Sequence, residues 1–263
     1  MNHKIWGTAE ASLSPTSLSA LRLKYLLSDL KRLDKGNVLE VGCGAGMFVR
    51  AVKEYRPELT LIGSDPDAKA IAKAKKAPGK VSYKVGGLYK LPFRAKTIDA
   101  VFSFDVFEHL EDPDKAFDEV HRVLKPKGLF HLYVPCEGNL YTIYGIAKMF
   151  GFIPKKRFAG HIQQYKTPDL MAMAKSHGFA LERVYYSSHI FNQIIDFSYF
   201  IFLTLMDKET SRTVEGYIAE GKSRLLPLLL GLVKNALAVL FFVESTLFKN
   251  IPAHGVHMTL VRK

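Results

Sequence analysis

The stretch VLEVGCGAG, Val38 to Gly46, decides how the rest of the chain is read. A run of strand character breaks into three alternating glycines, and MFVRAVKEY, directly after it, has helical character. In such a strand, glycine turn and helix, the backbone can bend sharply and approach a ligand closely, while unpaired N–H groups at the helix start face its polar atoms. A dinucleotide turn would need G-x-G-x-x-G. Met47 stands where the last glycine falls for a turn starting at Gly42, and Val49 where it falls for one starting at Gly44. NAD is therefore a poor second choice.

Working outward, the same alternation continues. LTLIGSD, VSYKVG, IDAVFSFDV and GLFHLYVP read as strands, and DAKAIAKAKKA and DPDKAFDEVHRVL as helices between them. A leading helix is expected over Pro15 to Leu33, capped by Ser14. Downstream, TPDLMAMAKSHGF reads as a helix with Thr167 as N-cap and Gly178 as its stop, then ALERVYYSS and VHMTLVRK as strands. The expected fold is α/β, a doubly wound, Rossmann-like seven-stranded sheet with an apolar helical insertion before the last strand. The divisions are a core over 1–188 with an apolar cap segment over 136–166, the insertion over 189–253, and the final strand over 254–263.

The second strand ends at Asp65, nineteen residues past Gly46. A carboxylate there can accept hydrogen bonds from the two hydroxyls of a ribose. Glycine turn and carboxylate together point to an adenosine-type cofactor.

In order and spacing, VLEVGCGAG, LIGSDPD, GGLYKLPF, IDAVFSFDVFEHL and HRVLKPKGLFHLYVP resemble the class I S-adenosylmethionine-dependent methyltransferases, nearest to those acting on small or lipidic molecules such as the quinone-biosynthesis enzymes. The resemblance implies that S-adenosyl-L-methionine is the cofactor. Gly42, Cys43, Gly44 and Gly46 then form the turn under its methionine part, with Glu40 the acidic residue of that motif. Asp65 is the ribose carboxylate, Pro66 flanks the adenine, and Gly87 and Leu88 meet the adenine edge. Phe104, Asp105 and His109 lie beside the reaction centre. Gly87 departs from the family, which often has Asp there to accept from the adenine amino group; its loss would weaken recognition by about 0.5 to 1.5 kcal/mol. His109, His161 and Tyr165 are the candidate acid–base groups, either as catalysts or as structural residues that pin a loop or pack beside the cofactor. No metal is expected.

The acceptor is expected to be small and hydrophobic or lipid-like. An RNA methyltransferase and a non-catalytic protein of this fold that scaffolds a partner at a membrane are the alternatives. Net charge is +12, with 29 basic and 19 acidic residues over 1–188 and six of each over 189–253, so the excess belongs to the core. Charge alone is weak support for nucleic acid, which is not expected as a partner: the fourth strand lacks the Asn/Asp-Pro-Pro-aromatic turn that grips a planar base, and no nucleic-acid-binding module is appended.

Within the insertion, 225–248 holds fifteen Leu, Val or Phe residues on all faces of a helix. Such a helix needs cover, at about 1.5 to 3 kcal/mol per side chain. Lys234 lies midway along the cleanest window, Leu225 to Val243, and a central Lys costs about 2.5 to 3.5 kcal/mol in a membrane. A span is therefore marginal, and so is the stretch Ile190 to Met206, which carries Asp196. A helical hairpin packed on YTIYGIAKMF is expected instead, forming a lid over a lipophilic substrate or a face that dips into a membrane interface. The basic turn Lys155, Lys156 and Arg157 would then meet anionic headgroups. A homodimer interface or extra core is the competing reading.

At 263 residues, 48% apolar and 24% charged, the chain can bury one elaborated core and is neither largely disordered nor collagen-like. Cys43 and Cys136 are too few for a disulfide framework or a Cys-based zinc site, and no secretory leader is legible at the N-terminus, so a cytoplasmic setting is expected, with peripheral contact on the inner face of a membrane as an extension.

Overall fold

The computed structural model describes residues 6, 7, 10–205 and 225–263, with only the backbone of 205 and 225–230. The stretch 206–224, which includes the end of the first apolar segment of the insertion, lies outside the described residues.

Seven strands form one sheet: β1 (Asn37–Val41), β2 (Thr60–Asp65), β3 (Ser82–Val85), β4 (Ile98–Phe104), β5 (Leu124–Pro135), β6 (Phe179–Ser187) and β7 (Gly255–Arg262). Their spatial order is β3-β2-β1-β4-β5-β7-β6. All pairs are parallel except those of β7, which runs antiparallel between β5 and β6. The order reverses between β1 and β4, so the crevice at the carboxyl ends of these strands is where such a sheet binds ligands.

Alternation along β1 explains the two-sided core. Leu39 and Val41 face a cluster with Phe117, Phe130, Leu170 and Met258. Val38 faces the other side, with Leu26, Val49, Val52 and Phe102. The helices supplying these layers are α1 (Ala20–Leu30), α2 (Met47–Tyr55), α3 (Ala68–Lys76), α4 (Pro113–Val123) and, after the cap segment, α7 (Thr167–Ser176).

Two helix boundaries differ from the sequence reading for identifiable reasons. The leading helix starts at Ala20, not Pro15, because the preceding serines satisfy the backbone locally. Ser14 N–H donates to Ser12 Oγ at 3.1 Å and Ser12 N–H to Ser19 Oγ at 3.2 Å. Thr167 is the first helical residue of α7 and not its cap; its N–H and Oγ1 are both taken by the Asn139 side chain, at 2.9 Å each. Gly178, at φ +81°, follows the helix end as expected.

The cap segment forms α5 (Ile143–Met149) and α6 (Pro154–Phe158), and the insertion forms α8 (Ile190–Leu205) and α9 (Leu225–Leu247). Helix α8 packs on α5, α6 and α9. Buried Glu244 on α9 accepts from Ile190 N–H and Phe191 N–H at 3.1 and 3.2 Å, so the second helix caps the first. Asp196, which made α8 a poor span, accepts from Tyr144 Oη at 2.8 Å and pairs with Lys155 at 3.0 Å. Lys155 therefore points inward and is buried, which overturns its assignment to membrane headgroups. Burial would lower its pKa, but Asp196 and Glu137 overcome that and raise it. Lys156 and Arg157 are exposed beside it.

Candidate active site

The turn after β1 is held by its neighbour strand: Ser64 carbonyl accepts from Gly42 N–H at 2.8 Å and Cys43 N–H at 3.1 Å. Gly42, Gly44 and Gly46 all have left-handed φ, +76°, +52° and +83°. A Cβ on Gly42 would lie 2.3 Å from Val106 Cγ2, and one on Gly44 2.6 Å from Trp6 carbonyl oxygen. Side chains are excluded on both, and the backbone itself forms the wall. Asp65 stands opposite, accepting from Gly44 N–H at 2.8 Å and Asp67 N–H at 2.9 Å. Buried Glu40 accepts from Val49 N–H at 2.8 Å and so ties the strand end to α2. Burial pushes its carboxyl well above the usual range.

A single cavity of about 1010 Å³ extends from this turn to the insertion. Glu40, Gly42, Cys43, Gly44, Asp65, Pro66, Phe104, Asp105, His109 and His161 all line it. Four sequence-derived residues do not. Gly46 starts α2, where a Cβ would lie 2.5 Å from Tyr83 Oη, so it serves the packing of the turn against β3. The Leu88 side chain is buried in the main core, leaving only its backbone for an adenine edge. Gly87 sits in an isolated bridge to Lys90, and a Cβ there would make ordinary contact with Pro66 at 3.4 Å. Tyr165 is buried and donates to Phe107 carbonyl at 3.1 Å. This bond pins the loop and takes Tyr165 out of the acid–base set.

At the carboxyl end of β4, beside the turn, Asp105 has φ +53° and pairs with Arg22 at 2.9 Å, while the Arg22 guanidinium lies 4.1 Å over the Tyr133 ring. His109 Nδ1 donates to Gly160 carbonyl at 3.0 Å, and burial lowers its pKa. His161 Nδ1 lies 2.5 Å from Glu137 Oε1, with the two imidazoles edge to face, centroids 4.9 Å apart.

Sequence reading missed Glu108 and Glu137. Glu108 is fully buried, neither oxygen has a hydrogen-bond partner among the described residues, and burial followed by the Asp105 charge holds its carboxyl well above the usual range. One atom each of Glu108, His109 and His161 lie within 4.8 Å of one another, close enough to share one small polar ligand. Glu108 stood next to His109 in a quoted motif, but nothing in the chain's pattern linked Glu137 to His161. The apolar end is walled by Phe158, Tyr199, Phe200, Leu203, Phe241 and Phe242.

Known proteins share the domain and the fold. Residues 39–132 match the family described as methyltransferase domain. An uncharacterized methyltransferase of Schizosaccharomyces pombe is 36% identical over 135 residues, covering 47% of this chain and 45% of the relative. The chain thus spans less than half of that relative's length. A ubiquinone biosynthesis O-methyltransferase of Coxiella burnetii is 26% identical over 182 residues, covering 67% and 77%. The solved structure of an S-adenosylmethionine-dependent methyltransferase from Mesorhizobium loti shares the fold, with a TM-score of 0.55 and 16% identity over 94% and 98% of the two chains. Residues 39–132 are thus a methyltransferase domain, the chain has the Rossmann-like fold of the class I S-adenosylmethionine-dependent methyltransferases, and S-adenosyl-L-methionine is the cofactor of such proteins. The turn and Asp65 fit it, since the backbone of Gly42 and Gly44 and the Asp65 carboxylate line the same cavity.

Proposed function

We propose that this chain transfers a methyl group from S-adenosyl-L-methionine to a small, hydrophobic or lipid-like acceptor. The observation that carries the reading is the continuity of one cavity from the glycine turn and Asp65 to the aromatic and aliphatic walls of α6, α8 and α9. When bound, the cofactor supplies an already activated methyl group. The chain's own work is to align the acceptor, exclude water and manage its proton. Gly42 and Gly44 hold the methionine part by their backbone, Asp65 the ribose, and Phe104 and Asp105 border the point of transfer.

The outer faces of the cap and insertion support loading from a lipid surface. Phe150 is 83% exposed, and Ile146, Met149, Ile190, Ile194, Phe202, Leu232 and Val243 are exposed as well. Water is an unfavourable neighbour for so large an apolar area, and the basic core favours an anionic bilayer. Among the described residues no helix is long and apolar enough to cross a membrane, so the contact we propose is peripheral.

Methyl-labelled cofactor incubated with the protein and a bacterial membrane lipid extract tests the reading. Label is expected in the organic phase; cofactor binding without transfer to the extract overturns the acceptor class and favours the scaffold. Label in total RNA instead would favour an RNA methyltransferase.

A further inference from the structure

The wall between the two ends of the cavity holds polar groups that cofactor binding leaves unused. Glu137, 2% exposed, lies in the loop after β5 and receives Nδ1 of His161 at 2.5 Å. A carboxylate accepts, so Nδ1 carries the hydrogen and Nε2 is left as a lone-pair acceptor on a ring that lines the cavity. The edge-on ring of His109 and the contact of Gln163 N–H with Glu108 carbonyl, at 3.0 Å, hold the loop that carries His161 against the turn after β4. A neutral amine attacks a methyl donor with its own lone pair, whereas a phenol or enol is a poor nucleophile until its proton leaves.

Resting on the methyl-transfer reading above, we propose that the acceptor is a hydroxyl compound, a phenol or enol bearing an apolar tail, whose proton passes to Nε2 of His161, with Glu137 as the positioning residue that fixes the imidazole's tautomer. The acceptor O–H bond breaks as its proton goes to Nε2. The oxygen then bonds to the methyl carbon, whose bond to the cofactor sulfur breaks with its electron pair. The products are a methyl ether and S-adenosylhomocysteine, and the imidazolium returns its proton to solvent. The charged and titratable groups around His161 are Glu137, Glu108 and His109 from the two loops, Lys155 from α6, with Nζ 3.9 Å from Glu137, and buried His254 before β7. Among them only Glu137 touches the ring through a hydrogen bond, so it sets the tautomer.

The test reads a titration as well as turnover. 4-Nonyl-2-nitrophenol is titrated by absorbance in the complex with S-adenosylhomocysteine, and 4-nonylcatechol and 4-nonylaniline are compared as acceptors with the cofactor itself. In the native protein the bound nitrophenol is expected to ionise at lower pH than the free probe. His161→Gln should abolish that displacement, and Glu137→Gln should diminish it, because the neutral amide no longer stabilises an imidazolium. The catechol should be methylated, with a fall of about 10²-fold or more in its turnover in His161→Gln, whereas transfer to the aniline, whose lone pair needs no base, should not depend on His161. Methylation of the aniline alone, of neither probe while S-adenosylhomocysteine still binds, an undisplaced titration, or a displacement abolished by EDTA overturns the proposal. Loss of S-adenosylhomocysteine binding by the native protein would instead sink the methyl-transfer reading itself.

Discussion

Gly42→Ala perturbs the turn at its tightest point, and its cost follows from two separate features. The residue's φ of +76° is left-handed, which costs an L residue about 1 to 2 kcal/mol. The new Cβ would lie 2.3 Å from Val106 Cγ2, far inside van der Waals contact, and overpacking of this kind costs about 1 to 3 kcal/mol. Together they predict a loss of about 2 to 5 kcal/mol, or a fall in Tm of roughly 4 to 20 °C for a chain of this size. Calorimetry should also show weakened S-adenosylhomocysteine binding, because relief of the clash displaces the backbone that lines the cavity. Val106→Ala in the same chain removes both γ-methyl groups, so the double variant should regain the steric part and retain the conformational part. An unchanged Tm with native affinity in Gly42→Ala would refute the close-approach reasoning. No recovery in the double variant would refute the assignment of the clash to Val106.

Asp65→Asn should weaken S-adenosylhomocysteine binding by roughly 10- to 150-fold, since one charge-assisted acceptor becomes a donor, worth about 1.5 to 3 kcal/mol; calorimetry reads it. Glu108→Gln should flatten the pH dependence of stability. The folded-state pKa of Glu108 is raised by burial, so the native protein binds an extra proton and loses stability as pH rises above the unfolded carboxyl's pKa, near 4.3, a slope that thermal scans at several pH values should find absent from the variant. Tyr165→Phe should lower stability by about 1 kcal/mol without changing the pH profile of turnover, because its hydroxyl only holds the Phe107 carbonyl. Phe150→Glu should reduce sedimentation with anionic vesicles at low salt while cofactor affinity stays native.

Most of the sheet was legible because its signals are local. Most strands are short apolar runs with turn or capping residues at their ends, and their alternation with helices marks a doubly wound sheet, although β3 passes to β4, across the reversal of strand order, with no helix between them. The glycine turn and Asp65 were legible for the same reason, each lying at the end of its own strand. Contacts between distant residues were not. Asp196 read as a defect in an apolar helix, yet it is the partner of Lys155 and Tyr144, 41 and 52 residues away in the chain. Once those pairs form, α6 turns Lys155 inward and the basic cluster no longer acts as a unit. Glu137 had no local pattern at all; it acquires meaning only when the loop after α6 returns to bring His161 beside it. The leading helix was overextended because periodicity carried no information about the serines, whose hydroxyls compete for the same N–H groups.

The central claim is that one cavity holds the cofactor at one end and an apolar acceptor at the other. Transfer of label from S-adenosyl-L-methionine into a membrane lipid extract, compared between the native protein and Phe200→Glu, tests it most directly. The account predicts organic-phase label from the native protein, and from Phe200→Glu little label but native S-adenosylhomocysteine affinity, because Phe200 belongs to the apolar wall. Equal transfer by both proteins, or no transfer by the native protein while it binds the cofactor, would contradict it.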